Sequence, residues 1–113
     1  MEKPESIARE YFSRVRRGDL SVVDLFHDDA ELLGLGARTR GKDSIREFYA
    51  KSIAEGGPQP SEPVTLLADA TKALAEVTIE LRDGSTIHAI DLFKIEEDRI
   101  RELTYFIAEH PAA

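Results

Sequence analysis

One residue in this sequence has a setting that invites chemistry: Asp91, in the middle of the stretch IHAIDLFKI. The apolar residues of 87–95 read as a strand buried on at least one side. A carboxyl held there in low dielectric keeps its proton and, at neutral pH, donates a hydrogen bond rather than carrying a charge. The bland alternative is a carboxylate near a sheet edge, or one paired with Arg38, Arg40 or a backbone amide, because buried acids normally find partners. Tyr11 falls within the apolar arc of an N-terminal helix, either as ordinary packing with its hydroxyl at a rim or as a polar partner for Asp91. Tyr105 poses the same choice on the last strand, where alternation sets it on one side with Leu103 and Ile107. His27, His88 and His110 are dispersed and lack ligand spacing, so no metal site is expected. The stretch GLGARTRG has glycines without phosphate-loop spacing, and Arg38 and Arg40 read as solvated loop charges.

The elements that must position these groups follow from spacing. Ile7, Ala8, Tyr11, Phe12 and Val15 recur at helical intervals over 4–17, with Pro4 in the first turn and Gly18 as the stop. LSVVDLF reads as a short second helix ended by HDDA, and AELLGLG as a short strand running into a turn. Asp43 is the expected N-cap of a third helix whose face carries Ile45, Phe48, Tyr49 and Ile53, and EGGPQPSEP breaks it. Strands are expected at about 64–67, 72–82, 86–95 and 100–108. Helices first and a run of antiparallel strands afterwards is an α+β order, with the helices covering one face of a curved sheet.

Which face Asp91 shares depends on the hairpin VTIELRDGSTIHAID. A two-residue Asp83-Gly84 turn would set Glu76 opposite Asp91. A three-residue loop with Gly84 in a left-handed bulge instead aligns Ala75, Val77 and Ile79 with Asp91, Ala89 and Ile87. The second register is preferred, since it leaves Glu76, Thr78 and Glu80 together on a wet face and Asp91 on a dry one. His88, Ile90 and Leu92 then lie on the opposite, outer face.

The bulk composition excludes several classes. With 113 residues, the chain is expected to form one domain over 1–113. Fifteen Lys and Arg against 22 Asp and Glu give a net charge of −7, and no basic run offsets it, so nucleic acid is not an expected partner. No segment approaches the roughly 18 apolar residues of a membrane span. The acidic start MEKPESIARE is unlike a secretory signal, and the absence of cysteine excludes disulfides; a cytoplasmic location is expected.

A helix ending in GD, then LFHDDAELLG, RGKDSIREFY and IDLFKIEEDRIREL, in that order and spacing, resembles the SnoaL-like and ketosteroid-isomerase-like members of the nuclear transport factor 2-like superfamily over nearly the whole chain. The resemblance implies a cone-shaped, curved antiparallel sheet wrapped around N-terminal helices, also called cystatin-like, with a deep apolar pocket at the open end. In ketosteroid isomerase a tyrosine and a protonated aspartate form the oxyanion hole while a second aspartate moves the proton. The match carries the first two onto Tyr11 and Asp91, and a supporting tyrosine onto Tyr49. Phe26 stands where the family has another tyrosine. The base falls on Gly34, which supplies no carboxylate. Ala89, Phe93, Leu103, Tyr105 and Ile107 are implied as further ligand-binding positions beside Phe26, Gly34 and Tyr49. The implied activity is that of an isomerase, cyclase or lyase without its usual base, acting on a polyketide- or steroid-like carbonyl or phenol. A non-catalytic binding protein is the alternative. An epoxide hydrolase of the same superfamily is a further one, which would need an Asp-Arg-Asp arrangement. No cofactor is implied, and a homodimer through the outer sheet face is.

Overall fold

Ile7, Ala8, Tyr11, Phe12 and Val15 bury one stripe of α1 (Pro4–Arg16) in the computed structural model, which describes residues 3–108. His110 lies outside the described residues. Asp19 then caps a 3₁₀ helix (Leu20–Leu25), its carboxylate accepting the Ser21 amide at 2.9 Å, and Val22 and Val23 drop fully into the core. The strand that follows is longer than its sequence suggests. β1 spans Phe26–Gly34, so that HDDA, expected to end a helix, forms its first half. Phe26 is fixed there by pairing with Ile100, and Ala30 by burial.

β1 turns through Leu35 and Gly36 into β2 (Ala37–Arg40), a strand with no sequence signal of its own. The arginines expected to be loop charges sit on it, Arg38 and Arg40 both reaching Glu31 across the hairpin at 3.3 and 4.0 Å. The Gly41 amide bonds back to the Ala30 carbonyl, and the chain leaves the strand through a left-handed glycine, φ +89°. That exit makes Gly41, and not Asp43, the N-cap of α2 (Lys42–Glu55). Asp43 stands in the first turn, where its charge suits the positive end of the helix.

Four of the remaining strands run close to their expected bounds, as β4 (Thr65–Ala68), β5 (Lys72–Glu80), β6 (Thr86–Glu96) and β7 (Arg99–Ala108); β3 (Gln59–Pro60) is a two-residue addition. The sheet order is β2-β1-β7-β6-β5-β3, with β4 also pairing β5. All pairs are antiparallel except β1 with β7, which run parallel, so the expected antiparallel sheet has one exception. The hairpin between β5 and β6 takes the bulged register: Ala75 faces Asp91, Val77 faces Ala89 and Ile79 faces Ile87. A three-residue loop closes it, with the Leu81 amide bonded to the Ser85 carbonyl and Gly84 at φ +88°. The result is α+β, a curved, unclosed sheet with α1 and α2 on its concave side. Phe12, Phe26, Val77, Phe93, Ile100 and Leu103 fill the space between them.

Candidate functional site

Alternation along β6 buries Ala89, Asp91 and Phe93 on one face, which is the concave one, and Asp91 is 5% exposed. It makes no hydrogen bond or ion pair with another described residue, since Arg38 and Arg40 are engaged by Glu31 at the sheet edge. Among the described residues no side-chain nitrogen or oxygen is both closed off from solvent and unpaired. The carboxyl therefore opens onto free space, a cavity of about 170 Å³. Burial alone pushes its pKa up, to about 7.

Three tyrosines converge on this carboxyl. Tyr11 from α1 and Tyr49 from α2 are buried, and their hydroxyls share a hydrogen bond of 2.6 Å in which either can donate. One hydroxyl hydrogen of the pair is left for a third group. Burial holds both hydroxyls well above the ordinary tyrosine range, and the nearby Asp91 charge adds to this. Tyr105 lies directly across from Asp91 in the β6–β7 register and is raised in the same sense, by burial first and Asp91 second. The expected partnership of Tyr11 with Asp91 thus takes a different form. The two are electrostatically coupled, while the Tyr11 hydrogen bond goes to Tyr49.

Of the positions singled out in the sequence, Tyr11, Tyr49, Ala89, Asp91, Tyr105 and Ile107 line the cavity. Phe26, Phe93 and Leu103 do not. They are fully buried, and the rings of Phe26 and Phe93 pack edge-on against Tyr11 at centroid distances of 6.4 and 5.2 Å, supporting the tyrosine from outside the cavity. Gly34 does not line it either, because Tyr105 covers it: a Cβ built on Gly34 would lie under 3.0 Å from three carbons of that ring. The position to which the resemblance assigned the base is occupied by an aromatic ring. No arginine and no second carboxylate lines the cavity among the described residues, so the Asp-Arg-Asp set of an epoxide hydrolase is not assembled there.

Sequence reasoning missed Val15, Phe48, Ser52, Pro58, Ile79, Leu81 and Ile87, which complete the lining. Phe48 and Ser52 had a signal in the helical spacing shared with Tyr49, and Ile79 and Ile87 in their pairing across the hairpin. Pro58 had none, lying in the segment that breaks α2. The histidines are elsewhere: the His27 ring meets the Glu96 carbonyl, and His88 bonds Glu76 on the outer face at 2.7 Å.

A family model described as SnoaL-like domain matches residues 8–103. No curated protein matches the sequence significantly. Among solved structures, a protein from Sphaerobacter thermophilus is 25% identical and superposes with a TM-score of 0.79 over 92% of this chain and 94% of its own. A candidate polyketide cyclase from Sinorhizobium meliloti is 24% identical, with a TM-score of 0.81 over 89% of this chain and 94% of its own. A candidate ketosteroid isomerase from Kribbella flavida is 19% identical, with a TM-score of 0.86 over 97% of this chain and 81% of its own. At identities below 25% the last two show a shared fold.

Proposed function

The chain belongs to the SnoaL-like domain family, and on that footing we propose that it binds a small, largely apolar molecule through a carbonyl or phenol oxygen. The observation that carries the reading is Asp91, an unpaired carboxyl opening onto the cavity and titrating at about 7. In its neutral form it donates to the ligand oxygen, and the free hydrogen of the Tyr11–Tyr49 pair supplies a second donor. Two donors stabilise charge developing on that oxygen, as an enolate or phenolate does. This is the electrophilic half of an isomerase, cyclase or lyase. The apolar walls, Val15, Phe48, Ile79, Ile87 and Ile107, supply affinity without competing for the donors.

Proton abstraction from carbon needs a positioned acceptor. The Tyr105 ring over Gly34 favours, as a second reading, a binding protein that does not turn its ligand over. Turnover separates the two, because both bind phenols and only the first converts a substrate. The test of the shared reading is phenol affinity by calorimetry. Tyr11→Phe should weaken it by about 1 to 3 kcal/mol, the scale for a hydrogen bond to a charged or charge-developing oxygen. Unchanged affinity in a folded double variant, Tyr11→Phe with Tyr49→Phe, would remove the hydroxyl pair from the site.

The same reading includes a homodimer. On the outer face, Leu67, Leu74, Leu92, Ile90 and Phe106 lie on adjacent paired strands, and Phe106 is 56% exposed. An apolar group of this kind suits a second copy of the chain.

A further inference from the structure

We propose that Tyr105, seated on Gly34, limits the ligand to a single six-membered ring. This rests on the reading of the cavity as a site for phenols and carbonyls, and names the size class that site accepts. Gly34 continues the inward face of β1 that carries Ala30 and Leu32, and the parallel pairing of Leu33 with Thr104 brings it beside Tyr105. Any side chain at Gly34 would occupy the space of the Tyr105 ring. The glycine is thus required for room rather than for its backbone angles, its φ lying outside the left-handed range.

The ring is held between Gly34 on one side and Phe48 on another, 6.4 Å between centroids, and its hydroxyl has no hydrogen-bond partner among the described residues. It fills volume next to Asp91 that β1 would otherwise leave open. What remains is about 170 Å³, close to an engineered cavity of roughly 150 Å³ that takes up benzene and well below the roughly 300 to 1,000 Å³ of sites for drug-sized molecules. One ring bearing one oxygen fits beside Asp91, and a fused or polycyclic ligand meets the Tyr105 ring. On this limit, the steroid-like and larger polyketide-like ligands implied by the resemblance do not fit beside Asp91.

The test compares phenol with 2-naphthol, by calorimetry and by ligand-induced change in Tm, on the parent protein, Tyr105→Ala and Tyr105→Leu, the leucine variant serving if the alanine one folds poorly. The parent should prefer phenol by roughly tenfold or more, the scale on which apolar pockets discriminate size. Either truncation should abolish or reverse that ratio, whereas Tyr105→Phe, which keeps the ring, should keep it while absolute affinity is free to move. Equal binding of both ligands by the parent, or an unchanged ratio after truncation, overturns the size limit. Binding of neither ligand by any variant overturns the parent reading instead. The seat itself is then read without ligand: Gly34→Ala should lower Tm in the parent and much less in Tyr105→Ala. An equal effect in both backgrounds shows that the ring does not rest on Gly34 and overturns the inference.

Discussion

A carboxyl that titrates at about 7 rather than at the ordinary 3.8 makes the protein's stability depend on pH in an unusual direction. The folded state binds this proton more tightly than the unfolded chain does, so the unfolded state is the first to lose it as pH rises. The contribution is present in full below about pH 4, is lost as pH climbs through about 7, and is flat beyond. At about 1.4 kcal/mol per pH unit the whole effect is on the order of 4 kcal/mol. Asp19, Asp29, Asp69, Glu76 and Asp83 are lowered by hydrogen bonds they accept and act in the opposite sense, towards acid. Asp91→Asn keeps all of these and removes only the buried titration. The Tm difference between parent and Asp91→Asn should therefore shift against the parent from pH 4 to pH 7 and be constant above pH 8. A difference independent of pH would mean that in solution the carboxyl is paired or hydrated.

Elements set the mouth of the cavity, and one side chain ties two of them together. Arg82, in the loop between β5 and β6, donates to the Ala54 carbonyl at 2.7 Å and the Ile53 carbonyl at 3.2 Å, while its amide bonds the Gly56 carbonyl. A cation at the C-terminal end of α2 satisfies carbonyls that have no partner within the helix. This holds Leu81 near Ser52 and Pro58, all three lining the cavity. Arg82→Ala should cost about 1 kcal/mol of stability and, with the hairpin held to the helix end by its backbone bond alone, speed phenol dissociation measured by stopped flow. An unchanged release rate would place the exit elsewhere. The hairpin register itself was legible, because Gly84 and the alternation of β5 admit one arrangement with a dry face, and so was the burial of Asp91. Strand β2 was not: Ala37–Arg40 has no apolar alternation and is a strand only because β1 offers it an edge. The Tyr11–Tyr49 bond and the cover over Gly34 were also out of reach, each joining residues distant in sequence whose meeting depends on the curvature of the finished sheet.

At the scale of the whole molecule, the concave side is spent on core and cavity, and the proposed homodimer would form on the outer side. Sedimentation at micromolar concentration should show a dimer for the parent, and Phe106→Glu, which introduces a charge into that apolar group, should shift it to monomer with its far-UV circular dichroism unchanged. A monomeric parent would count against the interface. The sheet order also bears on how the chain is made. β7 lies between β1 and β6, so Leu32, among the first strand residues synthesised, waits for Leu103. Before β7 emerges from the ribosome, β1 and β6 each present an open edge, and such edges are where nascent chains pair wrongly. Tyr105 has not yet reached Gly34 or its place across from Asp91. The pairing of β7 with β1 joins strands distant in sequence, a non-local contact of the slow-forming kind. A chain without β7 would have no cavity, because Tyr105 and Ile107 of its wall come from that strand.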